Sequence, residues 1–352
     1  MEKTTRRQIV LLGFTYVINI TLVNIPSQVI SSAEQYAYLS FILAGAVVLL
    51  MLFFLTRSSM RFPGQDLFQS LTCRFPIMGK AIVLLYMLFF FMILVRDIRT
   101  MADFTNVILL PITPILIISL CITATVVYLA RGDVKTVLGI TELYGPMMII
   151  IVIVMPFIVM RDFDFDLMRP LLHVNWKGVA EGGWLSISYI GQILILPFIF
   201  HSKDYKFKHG LYSMLISLAI LTILILMTIL LLGIHVSGRL MYPTYELVRQ
   251  LRVTDFLDRF DLIVVALWYP AILLNLAISL YIICYGLKIV IPSVSGKMMA
   301  APIALFAFSC GFWFYESSIE LFQFNWEWTL IALIFIVALP LLIFAIHRPL
   351  KT

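Results

Sequence analysis

Two short stretches of this sequence set polar side chains beside residues that interrupt a helix, and both lie inside apolar runs. The first reads Asn19-Ile-Thr21-Leu-Val-Asn24-Ile-Pro26-Ser27-Gln28. Pro26 has no backbone N–H to give a helix, and it disfavours helical geometry at the residue before it. The second reads Tyr189-Ile-Gly191-Gln192, preceded by Gly182-Gly183 and followed by Pro197. Gly191 and Pro197 weaken a helix on either side of its middle. An interruption inside a membrane frees backbone groups that lipid cannot satisfy. With Asn19, Thr21, Asn24, Tyr189, Gly191 and Gln192 around them, such groups suit a small polar ligand. A ligand carboxylate fits the freed N–H groups at the start of a half-helix. The plainer reading is a pair of kinked helices that bind nothing.

Other polar groups in apolar runs are fewer. Glu142, followed by Pro146, lies in the fifth run. A carboxylate at the centre of a bilayer costs about 2.5–3.5 kcal/mol, so it needs a partner or a role such as ion coupling. Glu142 is close enough to the end of its run for water to reach it. Asn275 in the eighth run can face the bundle interior and join the ligand site. Arg96, Asp97 and Arg99 close the third run and read first as an interfacial ion-pair cluster. Phe322, Phe324, Trp326 and Trp328 fall where an interfacial aromatic belt belongs.

Enzyme chemistry finds little support. No two of His173, His201, His209, His235 and His347 share a helix face within one run, which argues against a metal pair. There is no GxSxG, P-loop or GxGxxG motif. Asp162-Phe-Asp164-Phe-Asp166 lacks the glycine and final glutamate of an EF-hand and reads as a solvated loop. Cys73, Cys121, Cys284 and Cys310 are scattered, without CxxC spacing. The sequence implies no catalytic residue, no cofactor and no metal.

The elements that must position these groups follow from composition. Of 352 residues, 62% are hydrophobic and 12% charged, with a mean hydropathy of +1.04. The charged share is half that of a soluble domain, roughly 25%. This excludes a soluble enzyme, a disordered chain and a secreted disulfide scaffold. Ten apolar runs are long enough to cross a bilayer, at 9–30, 36–56, 81–100, 113–130, 137–160, 179–200, 211–234, 261–286, 299–315 and 328–347. Lipid requires each span to satisfy its own backbone, so all ten are expected to be helices in one transmembrane domain covering 1–352. The first run is too long for a signal-peptide core and reads as an uncleaved helix. With the N-terminus inside, 16 of the 25 Lys and Arg residues fall on the cytoplasmic side. Both termini are therefore expected to be cytoplasmic. The net charge of +6 reflects this bias and not nucleic-acid binding. Two connections, 161–178 and 235–260, are long enough to hold structure and would face outward; the second has a mixed-charge, helix-like stretch from Tyr245 to Arg259. Ten spans divide as five plus five, and interruptions in the first and sixth are the mark of an inverted repeat.

The chain resembles the B subunits of bacterial spore germinant receptors, a branch of the amino acid–polyamine–organocation transporter superfamily. The resemblance runs through nearly the whole length. It is carried by Pro26 in the first span and by the segment from Asp103 to Pro114 with its Leu110-Pro111-Ile-Thr-Pro114. Arg131-Gly132-Asp133, Met168-Arg169-Pro170-Leu171 and Tyr242-Pro243 are also similar. So is Leu257-Asp-Arg259-Phe-Asp261 leading to Trp268. Three departures stand out. Relatives often carry glycines before the first-span proline, where this chain has Asn19 and Thr21, so side chains are expected to contact the ligand. Gln192 stands where relatives often have glutamate. The fifth span holds no lysine or histidine, so the coupling lysine of some proton-driven members is absent.

The resemblance implies a leucine-transporter-like fold of five plus five helices with the first and sixth broken. It implies a nutrient sensor in the spore inner membrane that binds an amino acid or similar molecule at mid-membrane and triggers germination. It also implies a larger A subunit and a lipoprotein C subunit as partners. An amino acid permease, and a membrane subunit that binds nothing, are the competing readings.

Overall fold

A chain this apolar has only its own backbone to hydrogen-bond with, and it is helical almost throughout. The computed structural model describes residues 4–132, 134–169, 174–250 and 260–347. The motif residues Asp133, Pro170, Leu171, His173, Leu257, Asp258 and Arg259 lie outside the described residues.

The first span is α1 (Arg6–Asn24) and α2 (Pro26–Ala33), broken at Ile25. The second is α3 (Ala37–Ser59), joined through the short α4 (Leu67–Arg74) to the third, α5 (Pro76–Phe104). A π-helical turn, Thr105–Leu109, ends α5. The fourth and fifth spans are α6 (Ile115–Arg131) and α7 (Val134–Val159). The sixth comprises α8 (Trp176–Ile190), a 3-10 segment (Gly191–Ile195) and α9 (Leu196–Ile199). The seventh is α10 (Phe207–Leu232), followed in the connection by α11 (Ile234–Ser237) and α12 (Pro243–Arg249). The eighth and ninth are α13 (Phe260–Val290) and α14 (Gly296–Phe314). After α15 (Ser318–Gln323), the tenth runs as α16 (Asn325–Leu333), a π-helical turn (Ile334–Ala338) and α17 (Leu339–Ile346).

Each of the ten expected runs is thus a helix. Among the described residues nine helices are long and apolar enough to cross a membrane, the second half of the first span being continuous with the second span in that reckoning. The remaining run, α6, has 17 residues. At 1.5 Å per residue it is about 25 Å long, a little under the hydrocarbon thickness. The protein is an integral multi-pass membrane protein.

Burial sorts the spans by role. α1 is buried on nearly every face, packed by α7, α10 and α13, whereas α7 and α14 leave most of their surface outside the bundle. α2 packs along α8, so the second half of the broken first span lies against the first part of the broken sixth. Arg61 Nη1 donates to the carbonyls of Phe344 and His347, at 2.9 and 2.8 Å. This ties the end of the second span to the end of the tenth, on the face that also carries the start of α1.

The connection between the second and third spans is held by a buried acid on that terminal face. Asp66 accepts the Gln69 N–H at 2.9 Å, which caps α4, and accepts the Tyr285 hydroxyl of α13. Burial raises the Asp66 pKa above the usual carboxylate range, outweighing the bonds from Tyr285 and Gln69 that lower it. The folded state therefore holds this proton more tightly than the unfolded chain does. Stability is highest at acid pH and falls as pH rises from the ordinary carboxylate value through the raised one. In Asp66→Asn, which keeps a cap acceptor, that fall is expected to vanish. Melting curves between roughly pH 4 and 8 test this; parallel curves for the two proteins would count against it.

Candidate functional site

The break in the first span is narrow. Ile25 alone leaves the helix, with φ −117° and ψ −11°. Helical bonding resumes at once: Ile25 N donates to the Thr21 carbonyl at 3.3 Å, and Val29 N to the Ile25 carbonyl at 3.0 Å. Because Pro26 has no N–H, the Leu22 carbonyl is freed. It accepts instead the Thr244 hydroxyl of α12 at 2.7 Å. The expected unwinding is thus one freed carbonyl, capped by the connection between the seventh and eighth spans.

The sixth span differs from expectation in the same direction. It tightens into a 3-10 segment starting at Gly191 and does not stop, and Pro197 begins its last helical turn. The missing N–H of Pro197 leaves out one bond at the junction of the 3-10 segment with that turn. Gly182 and Gly183 sit within continuous helix. They are contact points: a Cβ on Gly182 would lie 2.6 Å from Ser40 Oγ, and one on Gly183 3.0 Å from Leu43. Gly191 serves a similar end, since its Cβ would lie 2.4 Å from Ile336 in the π-helical turn of the tenth span.

Around these breaks the third and tenth spans bring groups that the sequence did not assign to the site. Asn24 Oδ1 accepts the Thr100 hydroxyl of α5 at 3.3 Å. One turn earlier, Arg96 is 1% exposed and pairs with Asp97, donating from Nε and Nη2 to Oδ1 at 2.8 and 2.6 Å. The guanidinium lies over the Tyr189 ring at 4.3 Å and near the Trp328 ring at 5.1 Å. Tyr189 donates its hydroxyl to Asn325 Oδ1. Asn325 Nδ2 donates to Gln28 Oε1 at 2.8 Å and approaches the Asn24 carbonyl at 3.5 Å. Spans one, three, six and ten are therefore linked in a ring of polar contacts at the helix breaks.

This corrects two sequence readings. Arg96, Asp97 and Arg99 are not interfacial. α5 continues to Phe104, past the expected end at 100, and carries all three into the bundle. Arg99 pairs with Asp103 at 3.2 Å, also buried. Trp328 is not part of a belt; it is fully buried beneath Arg96, whereas Trp326 is exposed.

The remaining candidates divide. Asn19 is fully buried, and neither side-chain atom has a hydrogen-bond partner among the described residues. The same holds for Asn24 Nδ2, Gln192 Nε2, Arg96 Nη1 and Trp328 Nε1. Five of these six atoms are N–H donors. Thr21 is occupied, its hydroxyl bonding the Val17 carbonyl of its own helix. Asn275 is occupied too: Nδ2 donates to the Thr15 carbonyl at 2.8 Å and Oδ1 accepts the Thr15 hydroxyl at 3.4 Å, fastening α13 to α1. Glu142 lies at the terminal face, where it accepts Gln8 Nε2 at 3.0 Å and meets Arg7 Nε at 3.7 Å. It is away from the breaks. Among the described residues no cluster of His, Cys, Asp and Glu is arranged to hold a metal.

Comparison with known proteins gives the family and the fold. Residues 3–319 match the family model described as spore germination protein. The chain is 30% identical over 348 residues to a putative spore germination protein, YfkT, of Bacillus subtilis (strain 168), covering 99% of this chain and 97% of that protein. It is 23% identical over 229 residues to spore germination protein KB of the same organism, covering 63% of this chain and 61% of that one. Among solved structures it is similar to Mhp1, a nucleobase-cation-symport-1 family transporter, in a closed conformation with bromovinylhydantoin bound. The TM-score is 0.67 at 14% identity, covering 94% of this chain and 76% of that one. At that identity the likeness concerns fold alone. The fold is leucine-transporter-like, with five plus five helices and the first and sixth broken.

Proposed function

We propose that this chain, which belongs to the spore germination protein family, is the nutrient-sensing membrane subunit of a germinant receptor. It binds a small nutrient, an amino acid or similar molecule, between the broken first and sixth spans. The observation that carries this reading is the set of unpartnered buried donors on Asn19, Asn24, Arg96, Gln192 and Trp328, on the four spans whose contacts close around the breaks. An unsatisfied buried polar group costs about 1–3 kcal/mol. A stable fold that keeps several of them is suited to a ligand rich in acceptors. Asp97 already neutralises Arg96, so the ligand that fits has no net charge, a zwitterion included.

Sensing then requires only that the ligand bind one arrangement of the breaks better than another. The receptor reading places the protein in the spore inner membrane with its termini on the core side, beside an A subunit and a lipoprotein C subunit. A permease is the second reading, favoured by the fold shared with a symporter. Uptake into vesicles, driven by an imposed ion gradient, would select it.

The test is thermal stability of the purified protein across a panel of nutrients, with and without the partner subunits. A nutrient that binds only the folded state raises the melting temperature by mass action. Asn19→Leu is the informative variant. It removes two buried polar atoms without partners, so the ligand-free protein is expected to melt higher than wild type while the nutrient-dependent rise disappears. No nutrient response with all subunits present, or a full response in Asn19→Leu, would overturn the assignment.

A further inference from the structure

On the terminal face, away from the helix breaks, a cleft of about 960 Å³ opens between the starts of α1 and α10. Arg6, Arg7, Lys203, Lys206 and Lys208 line it, and Asp204 is the one acid among its lining residues. All five basic side chains are exposed, so a molecule that enters can reach them. Arg7 meets Glu142 of α7 at 3.7 Å. Among the described residues no acid pairs with the other four. This gathering of charge is unfavourable on its own. Arg6 and Arg7 open α1, and Lys206 and Lys208 flank the start of α10. The N-terminal end of a helix already carries partial positive charge, and acids suit it better than bases. Neither first turn holds an acid. An anion in the cleft relieves the repulsion.

The wall below the charges narrows the class of anion. Residues four apart on a helix stand one above the other. On α1, Arg6 is followed in this way by Val10 and Arg7 by Leu11; on α10, Lys208 is followed by Tyr212 and then Ile216. All of them line the cleft. Each stripe thus passes from cation to apolar side chain as its helix enters the membrane. From Lys208 to Ile216 the stripe is about 12 Å long. Tyr212, 55% exposed, stands where the character changes, as interfacial tyrosines do. Behind the stripes the two helices are closed on each other: Ser213 Oγ donates to the Val10 carbonyl at 2.9 Å, and a Cβ on Gly13 would lie 2.6 Å from that oxygen. A free phosphate would meet the charges and leave the apolar stripes unused. A zwitterionic lipid would bring a cation of its own to a cationic cleft. A phospholipid with a net negative head group matches both parts of the wall.

We infer that this cleft binds the phosphate head group of an anionic phospholipid, with the first part of an acyl chain lying along Tyr212 and Ile216. Basic pockets between spans at a membrane surface recognise such head groups. The bound lipid bridges α1 and α10, which pack on each other, and so steadies the start of the span that is broken at Ile25.

The test uses the full chain in two settings. Native mass spectrometry of the detergent-solubilised protein counts retained lipid, and melting is followed in nanodiscs of phosphatidylcholine with or without an equal part of phosphatidylglycerol. Wild type is expected to retain phosphatidylglycerol in preference to phosphatidylcholine and to melt higher in the mixed nanodiscs. Arg6→Gln, Lys206→Gln and Lys208→Gln together should weaken phosphatidylglycerol retention at least about tenfold. In phosphatidylcholine alone this triple variant should melt at or above wild type, because the repulsion is relieved; loss of lipid is then not loss of fold. Lys80→Gln, Lys288→Gln and Lys297→Gln remove the same charge from exposed positions on the same face, and should bind like wild type. Glycerol phosphate, the head group without its chains, should not displace the lipid at equal concentration. Asn19→Leu should show the same rise with phosphatidylglycerol, so failure of the nutrient site and failure of this one are separable. Equal loss in the two triple variants would mean diffuse attraction by the whole face, and displacement by glycerol phosphate would mean a site for a soluble phosphate. Either result, or no preference over phosphatidylcholine, would overturn the inference.

Discussion

Arg96→Met is expected to cost about 3–5 kcal/mol of stability, because it leaves the Asp97 carboxylate buried with no counter-charge. Arg96 and Asp97 are 1% and 3% exposed, and both bonds from Arg96 go to one carboxylate oxygen. Methionine keeps the length of the side chain and much of its contact with Tyr189 and Trp328, so the loss is electrostatic and not a loss of bulk. Removing the acid as well should restore most of the stability: Arg96→Met with Asp97→Leu replaces a desolvated ion pair with apolar side chains, an exchange that is often neutral or favourable. Binding should not follow stability. The double variant still lacks Nη1, the unpartnered donor of the guanidinium that lies over Tyr189. It is therefore expected to melt near wild type and to show no nutrient-dependent rise. Thermal melts of the two single variants and the double, each with and without the responding nutrient, form a complete cycle. A double variant that responds like wild type would remove Arg96 from the site.

The case of Arg96 shows where the sequence is legible and where it is not. The ten spans can be read directly, because lipid demands a length and a composition that few other structures satisfy. The break at Pro26 can be read as well, since a missing N–H is a property of the residue itself. Gly191 marks the point where the sixth span changes character, although the change is a tightening and not an opening. Arg96 is misplaced by the sequence because charge normally marks a helix end, and only packing shows that α5 continues past three ionisable side chains. Thr100 and Asn325 were missed because each acquires its meaning from residues that are distant in sequence, Asn24 for the first and Tyr189 and Gln28 for the second. Trp328 has the composition of a belt residue, and its burial comes from Phe89 and Arg96, which are distant in sequence. Thr244 belongs to a connection whose apparent role was exposure, yet its hydroxyl completes the break. Local chemistry thus placed the breaks, while the side chains that surround them are assembled by tertiary packing.

The second large effect is expected at a glycine remote from every polar group of the site. A Cβ added to Gly178 would lie 1.9 Å from the Ser32 carbonyl oxygen and 2.8 Å from its carbon. These are backbone atoms near the end of α2, so no side-chain rotation relieves the clash; α2 itself must move off α8. Overpacking of this kind costs about 1–3 kcal/mol, or more where backbone must shift. The displacement also reaches the site, because the apposition of α2 and α8 sets where Gln28 and Asn24 stand relative to Tyr189. Gly178→Ala is therefore expected to melt well below wild type, and the protein that survives should bind the nutrient weakly or not at all. Gly139→Ala is the matched control. Gly139 is exposed on α7 with no atom within 4 Å of its Cβ position, so alanine there should be neutral or should stabilise by up to about 1 kcal/mol through helix propensity. Equal melting temperatures for the two variants would mean that α2 and α8 are free to separate. In that event the close packing of the two broken spans would not be what holds the ligand groups in place.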